Sequence, residues 1–231
     1  ENEKENEPEN EKENEPESSS PEIGNANWME IQNLNEIPPS LGLWNKVAAV
    51  FQFAQSAVLF YLASDASTEW YLYTFYANLD ERGDGGEADE FGRPVPNELA
   101  AYSVTWYSAV FILLSGLDHF IVSQPWLFKG TYEYYIERSQ NPFRWAEYAL
   151  SASLMRIMIA QLSGVTDVYL LACIFVLASI TMILGAIHES VNAKARADGY
   201  KQNWFPFLAA WVPHIATWVV IFMYFFTAVI E

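Results

Sequence analysis

The stretch NPFRWAEYALSASLMRIMIAQL, residues 141–162, decides how this chain folds. It opens with helix-starting chemistry. Asn141 can cap the first turn, and Pro142 suits the first helical position, where its missing N–H is no loss. About 20 mostly apolar residues follow, enough at a 1.5 Å rise to cross the roughly 30 Å hydrocarbon layer of a bilayer. Yet Arg144, Glu147 and Arg156 lie inside the run. Intramembrane charges are expensive, so they mark either function or a satisfied structural pair.

Working outward, four further apolar runs flank this one, at about 45–64, 100–121, 167–188 and 205–230. With 142–163 they predict five membrane spans and an all-α integral membrane helical bundle. Basic residues set the orientation. Lys46, Lys129, Arg138, Arg144, Lys194, Arg196 and Lys201 all fall on one side of the alternating spans. The other side carries the acidic 65–99 segment and the short GVTD turn at 164–167. The expected topology therefore has a cytoplasmic N-terminus and an extracellular or lumenal 65–99 loop. In that loop WYLYTFY (70–76) reads as a strand, and RGDGG and GRPVP read as turns, so a small extracellular hairpin is expected.

The overall charge of −17 is local. Residues 1–22 contribute −8 and residues 65–99 contribute −7, leaving the apolar body nearly neutral. The octet ENEKENEP occurs twice, at 1–8 and 9–16. So polar a repeat buries too little apolar surface to offset its ordering entropy, and residues 1–40 are expected to form an acidic disordered tail ahead of a membrane domain at 41–231. No basic, aromatic-interleaved patch favours nucleic acid. The single Cys173 reads as a small buried hydrophobe. The three histidines lie far apart in sequence, with no HExxH or CxxC, so no metal site is expected. Without a phosphate-cradling glycine loop or a GxSxG elbow, an enzyme is not expected, and Ser151 and Ser153 read as small helix-packing residues.

Arg144, Glu147, Tyr148, Ser151 and Met155 recur at spacings of three and four, which places them on one helix face. Glu147 lies about 7 Å into the helix. It can serve as countercharge to a buried cation or as a proton relay, or it can simply pair with Arg144 at the membrane edge. Asp118 and His119 end the second run at a similar level. The three could form a titratable cluster, although adjacent helical residues point about 100° apart, so only one of the two can face squarely inward. His119 at a wet interface is the alternative. Arg156 lies nine residues beyond Glu147, on the opposite face. His214 and the shallower Gln52 are its candidate neighbours, and neither is an anion.

LLSGLDHF (113–120), NPFRWAEYALSASLMRIMIAQLSGVTD (141–167), GAIHESVN (185–192) and WFPFLAAWVPHIATWVVI (204–221), together with Asn45 and Gln55, closely resemble the heliorhodopsins. The resemblance covers about residues 43–230 and implies a rhodopsin-like fold of seven spans, in the inverted orientation that the basic residues also give. It further implies all-trans retinal held as a protonated Schiff base on a lysine of the seventh span, with Glu147 at the counterion position. Ser151 would hydrogen-bond nearby, and His119 would take part in proton rearrangement after light. Light sensing and homodimerisation are likewise implied.

This sequence departs from the family pattern at three places. Gln52 stands where the family commonly has a histidine, and Arg156 stands where an apolar residue is usual. Apart from Lys46 at the edge of the first, no lysine lies in the five runs, so covalent retinal attachment is not expected in this chain. The chain begins at Glu1, has its first methionine at Met29 and stops at Glu231 directly after an apolar run. The expectation is a fragment with five of seven spans. The rival expectation is a non-photoactive membrane scaffold or interaction protein. A third, an ion channel or transporter, rests on Arg156 alone.

Overall fold

Apolar runs of this length leave the backbone one economical solution in lipid, which is to satisfy its polar groups within helices. A computed structural model describes residues 37–65, 70–75, 96–128 and 130–230. In chain order the elements are α1 (Leu41–Asp65), β1 (Trp70–Phe75), β2 (Pro96–Tyr102), α2 (Val104–Val122), α3 (Pro125–Phe128), α4 (Thr131–Glu137), α5 (Pro142–Leu162), α6 (Val168–Val191), α7 (Ala193–Asp198) and α8 (Phe205–Ile230). Of the tail read at 1–40, residues 1–36 lie outside the described residues, as do RGDGG and all of GRPVP except Pro96.

Five long helices match the five runs. Four of them, α1, α2, α6 and α8, are long and apolar enough by length and composition to cross a membrane. The exception is α5, where Arg144, Glu147 and Arg156 dilute the apolar content; its 21 residues still reach about 31 Å. The second run is corrected at its start. Ala100–Tyr102 belong to β2, and α2 begins only at Val104, after Ser103 in extended conformation. Those residues are drawn into pairing with WYLYTF. The hairpin is antiparallel, from Trp70 opposite Tyr102 to Phe75 opposite Pro96, with an irregularity between Leu72 and Tyr73. Beyond it, the Tyr73 N–H donates to the Thr166 carbonyl at 3.0 Å, which ties the hairpin to the α5–α6 turn. Gly164, at φ +98°, permits that turn.

The long helices pack as neighbours in series, α1 on α2, α2 on α5, α5 on α6 and α6 on α8. Lipid is as apolar as leucine, so small residues that let backbones approach do much of the work at these contacts. Between α1 and α2, Ala49, Ser56, Ala63 and Ala109 are buried, and the Ser56 hydroxyl donates to the Ala109 carbonyl at 2.9 Å. Between α5 and α6, Ser153 meets Ser179 at 3.0 Å, and Ser179 donates to the Ala149 carbonyl at 2.8 Å. Gly185 of α6 admits the Trp145 ring so closely that a Cβ there would lie 2.5 Å from Cη2. The buried cluster of Ala160, Val165, Leu171, Ile174 and Ile221 closes the hairpin end. Cys173 corrects the sequence reading. It is free and exposed, because an apolar side chain on the outside of a membrane bundle needs no burial.

This order of packing makes α5 an interior helix. It has α2 on one side and α6 on the other, so residues on its opposite faces, Glu147 and Arg156, both face protein.

Candidate functional site

The site is built from the start of α5. The Asn141 side chain accepts the Arg144 N–H at 3.0 Å and Pro142 stands at the first helical position, as the sequence reads. This cap fixes the phase of the helix and turns Glu147 toward α2. There Ser115, Asp118, His119 and Val122 share one side at spacings of three and four. The Ser115 hydroxyl donates to Glu147 Oε1 at 2.5 Å. His119 Nδ1 lies 3.0 Å from Asn45 Oδ1 on α1. An amide oxygen can only accept, so the imidazole is the donor in this contact.

Three helices thereby converge on one polar cavity of about 210 Å³. Gln52, Asp118, His119, Arg144 and Glu147 all line it, with Asn45 and Ser115 added by the structure. Asp118 and His119 both reach the lining. Two buried atoms beside it, Asn45 Nδ2 and Gln52 Oε1, take no protein partner among the described residues.

Arg144 does not pair with Glu147. Its Nη2 lies 3.3 Å from Glu189 Oε1 on α6, and the Trp145 indole N–H donates to the other oxygen of the same carboxylate. Arg196 adds a bond to the Glu189 carbonyl at 2.9 Å and one to the Ser139 carbonyl at 3.0 Å. The arginine is drawn to the α6 side while the glutamate points to the α2 side. Tyr148, although partly exposed, lines the cavity beside Glu147, and Met155 is exposed further along the same stripe. Ser151 is buried one turn beyond Glu147 but does not line the cavity.

Arg156 lies apart from this group. Only 8% exposed, its Nη1 donates to Thr217 Oγ1 at 2.6 Å and its Nη2 approaches His214 Nδ1 at 3.3 Å, both on α8. The guanidinium also sits 5.2 Å from the Trp218 ring centroid. His214 was expected as a neighbour and is one. Gln52 is not, because it belongs to the polar cavity. Thr217 and Trp218, at three and four residues from His214, were missed, although helical spacing puts them beside it. Ser115 was missed for a different reason, since a serine in a membrane helix usually reads as packing. Among the described residues no group of three or more His, Cys, Asp or Glu side chains could hold a metal ion.

A model of the heliorhodopsin family matches residues 41–231, and this chain belongs to that family. Heliorhodopsins are generally non-enzymatic, multi-pass membrane photoreceptors that typically bind retinal. A search of curated proteins found no match to the chain.

Proposed function

We propose that this member of the heliorhodopsin family is a retinal-dependent light sensor, with Glu147 as the carboxylate opposite the cationic end of the chromophore. One contact carries the reading. Glu147, half-buried in a membrane helix, is held by the Ser115 hydroxyl at 2.5 Å rather than by an arginine. A carboxylate kept away from its nearest sequence cation is available as countercharge to another buried cation.

Retinal, held as a protonated Schiff base on a lysine, would supply light absorption and a delocalised positive charge. The chain supplies a setting that suits such a charge: one hydroxyl-bonded carboxylate and a polar lining with the unpartnered Asn45 Nδ2 and Gln52 Oε1. Ser115 orients Glu147, and Ser151 adds a buried hydroxyl one turn along the same helix. Asn45 orients the His119 ring through its Nδ1.

The basic residues around α4, α7 and the α7–α8 connection support a cytoplasmic location for the cavity end and an outer location for the hairpin. The hairpin, with Tyr71 39% exposed, is the surface we assign to a homodimer contact. A non-photoactive scaffold is the second reading.

The test is expression of the full-length protein, with its lysine-bearing span, in the presence of all-trans retinal, followed by visible spectroscopy. A coloured product whose band moves to longer wavelength in Glu147→Gln is expected, because removing the countercharge lowers the excitation energy. A coloured product with an unmoved band removes Glu147 from the role, and a colourless product favours the scaffold.

A further inference from the structure

Arg156 is a buried cation whose partners among the described residues are all neutral. Thr217 Oγ1 donates its proton to the His214 carbonyl at 2.8 Å, so its lone pair is what receives the Arg156 N–H. His214 Nδ1 faces the other guanidinium nitrogen, which fixes the ring as a neutral acceptor at that atom and leaves the proton on Nε2. Trp218 contributes only the face of its ring. The ion pairs among the described residues belong to Arg138 and Arg144, and no carboxylate lies within ion-pair distance of Arg156. A guanidinium has five N–H donors in a fixed fork. Two are used here, so three remain, and one full positive charge is unopposed in a membrane interior. Such charges are rare and are kept where they face the bundle interior, a water-filled cavity or a partner, and they mark ion pathways and sites.

We propose that Arg156, with the His214–Thr217 turn of α8 behind it, is a binding site for a small monovalent inorganic anion such as chloride. Arg156 lies six residues before the end of α5, about 9 Å below the hairpin end of the helix. The Glu147 cavity is on the opposite face of α5. The site is therefore separate from the one proposed for the chromophore and does not depend on it. Thr217 and His214 orient the fork, Trp218 shields one side of it, and the remaining donors meet the anion. Chloride suits the position better than a lipid phosphate, because the side chain is turned inward onto α8 and is almost wholly covered.

The experiment is thermal unfolding of the purified chain in phospholipid-free detergent, with sodium chloride exchanged for sodium gluconate at constant ionic strength. A ligand at a hundredfold excess over its dissociation constant raises the midpoint of a chain this size by roughly 5–10 °C. That rise is expected in chloride and bromide, unchanged in Lys201→Gln and lost in Arg156→Gln. Arg156→Lys keeps the charge without the fork and is expected to need about tenfold more chloride, which provides a reading if the glutamine variant does not fold. A midpoint indifferent to halide overturns the proposal, as it would if a carboxylate from outside the described residues supplied the charge. So does a halide response that survives in Arg156→Gln, or stabilisation by anionic phospholipid but not by halide.

Discussion

Gly185→Ala tests whether the α5–α6 contact is set by the Trp145 ring. The new Cβ would lie 2.5 Å from Cη2 and Cζ3 of the indole, whereas carbon atoms rest at about 3.5–4.0 Å. The ring must therefore give by about 1 Å, and it is not free to do so. Its N–H is bonded to Glu189, which also holds Arg144. Overpacking of this kind costs about 1–3 kcal/mol, and a strained bond to a charged acceptor can add about 1.5 kcal/mol. Against this, alanine is better than glycine within a helix by about 1 kcal/mol. The net expectation is a loss of about 1.5–3.5 kcal/mol.

In a Trp145→Leu background the clash is gone and only the propensity gain remains, so the same substitution should stabilise by about 0.5–1 kcal/mol. A double-mutant cycle of reversible unfolding in detergent reads both numbers. The reasoning is refuted if Gly185→Ala has the same effect with and without the ring.

Three further outcomes are expected. Ser115→Ala removes the donor to Glu147 and should move the visible band of a retinal-loaded protein in the direction of Glu147→Gln but by less; a shift the opposite way would sink the role given to Ser115. Asn192→Leu should loosen the α7–α8 connection, since the buried Asn192 amide bonds both the N–H (2.6 Å) and the carbonyl (2.9 Å) of Asn203. Leaving those groups unmet costs about 2–4 kcal/mol in all, read as faster hydrogen exchange at 199–204 and in the last turn of α6, where the same amide bonds His188, with the rest of α6 unaffected. A tag at residue 1 should be protected from external protease in intact cells, whereas a protease site placed in the 76–95 segment should be cut; the reverse pattern would invert the orientation.

What the sequence made legible follows from which physical rules act along one chain. Hydropathy and length located the five helices, and the Asn141–Pro142 start of α5 is present as read, because caps are local chemistry. Spacing also put Asp118 and His119 near the level of Glu147. It did not reveal that Arg144 would choose Glu189 over Glu147, since periodicity describes one helix and says nothing of which neighbour meets each face. Thr217 and Trp218 were hidden for the same reason. The boundary of α2 was blurred because Ala100–Tyr102 are apolar enough for either a helix or a strand, and only pairing with β1 decides. The exposed Cys173 shows that in a bilayer an apolar side chain carries no information on burial.

The interior position of α5 has a mechanical consequence. Glu147 and Arg156 are latches half a turn apart on a single shaft, one closing on α2 at 2.5 Å and the other on α8 at 2.6 Å. Turning the shaft by about 20° sweeps side-chain atoms through roughly 2 Å, and it sweeps these two in opposite directions. Neither hydrogen bond survives that displacement. Any event that twists α5 enough to release the carboxylate therefore also unlatches the arginine, and whatever clamps the arginine resists release of the carboxylate.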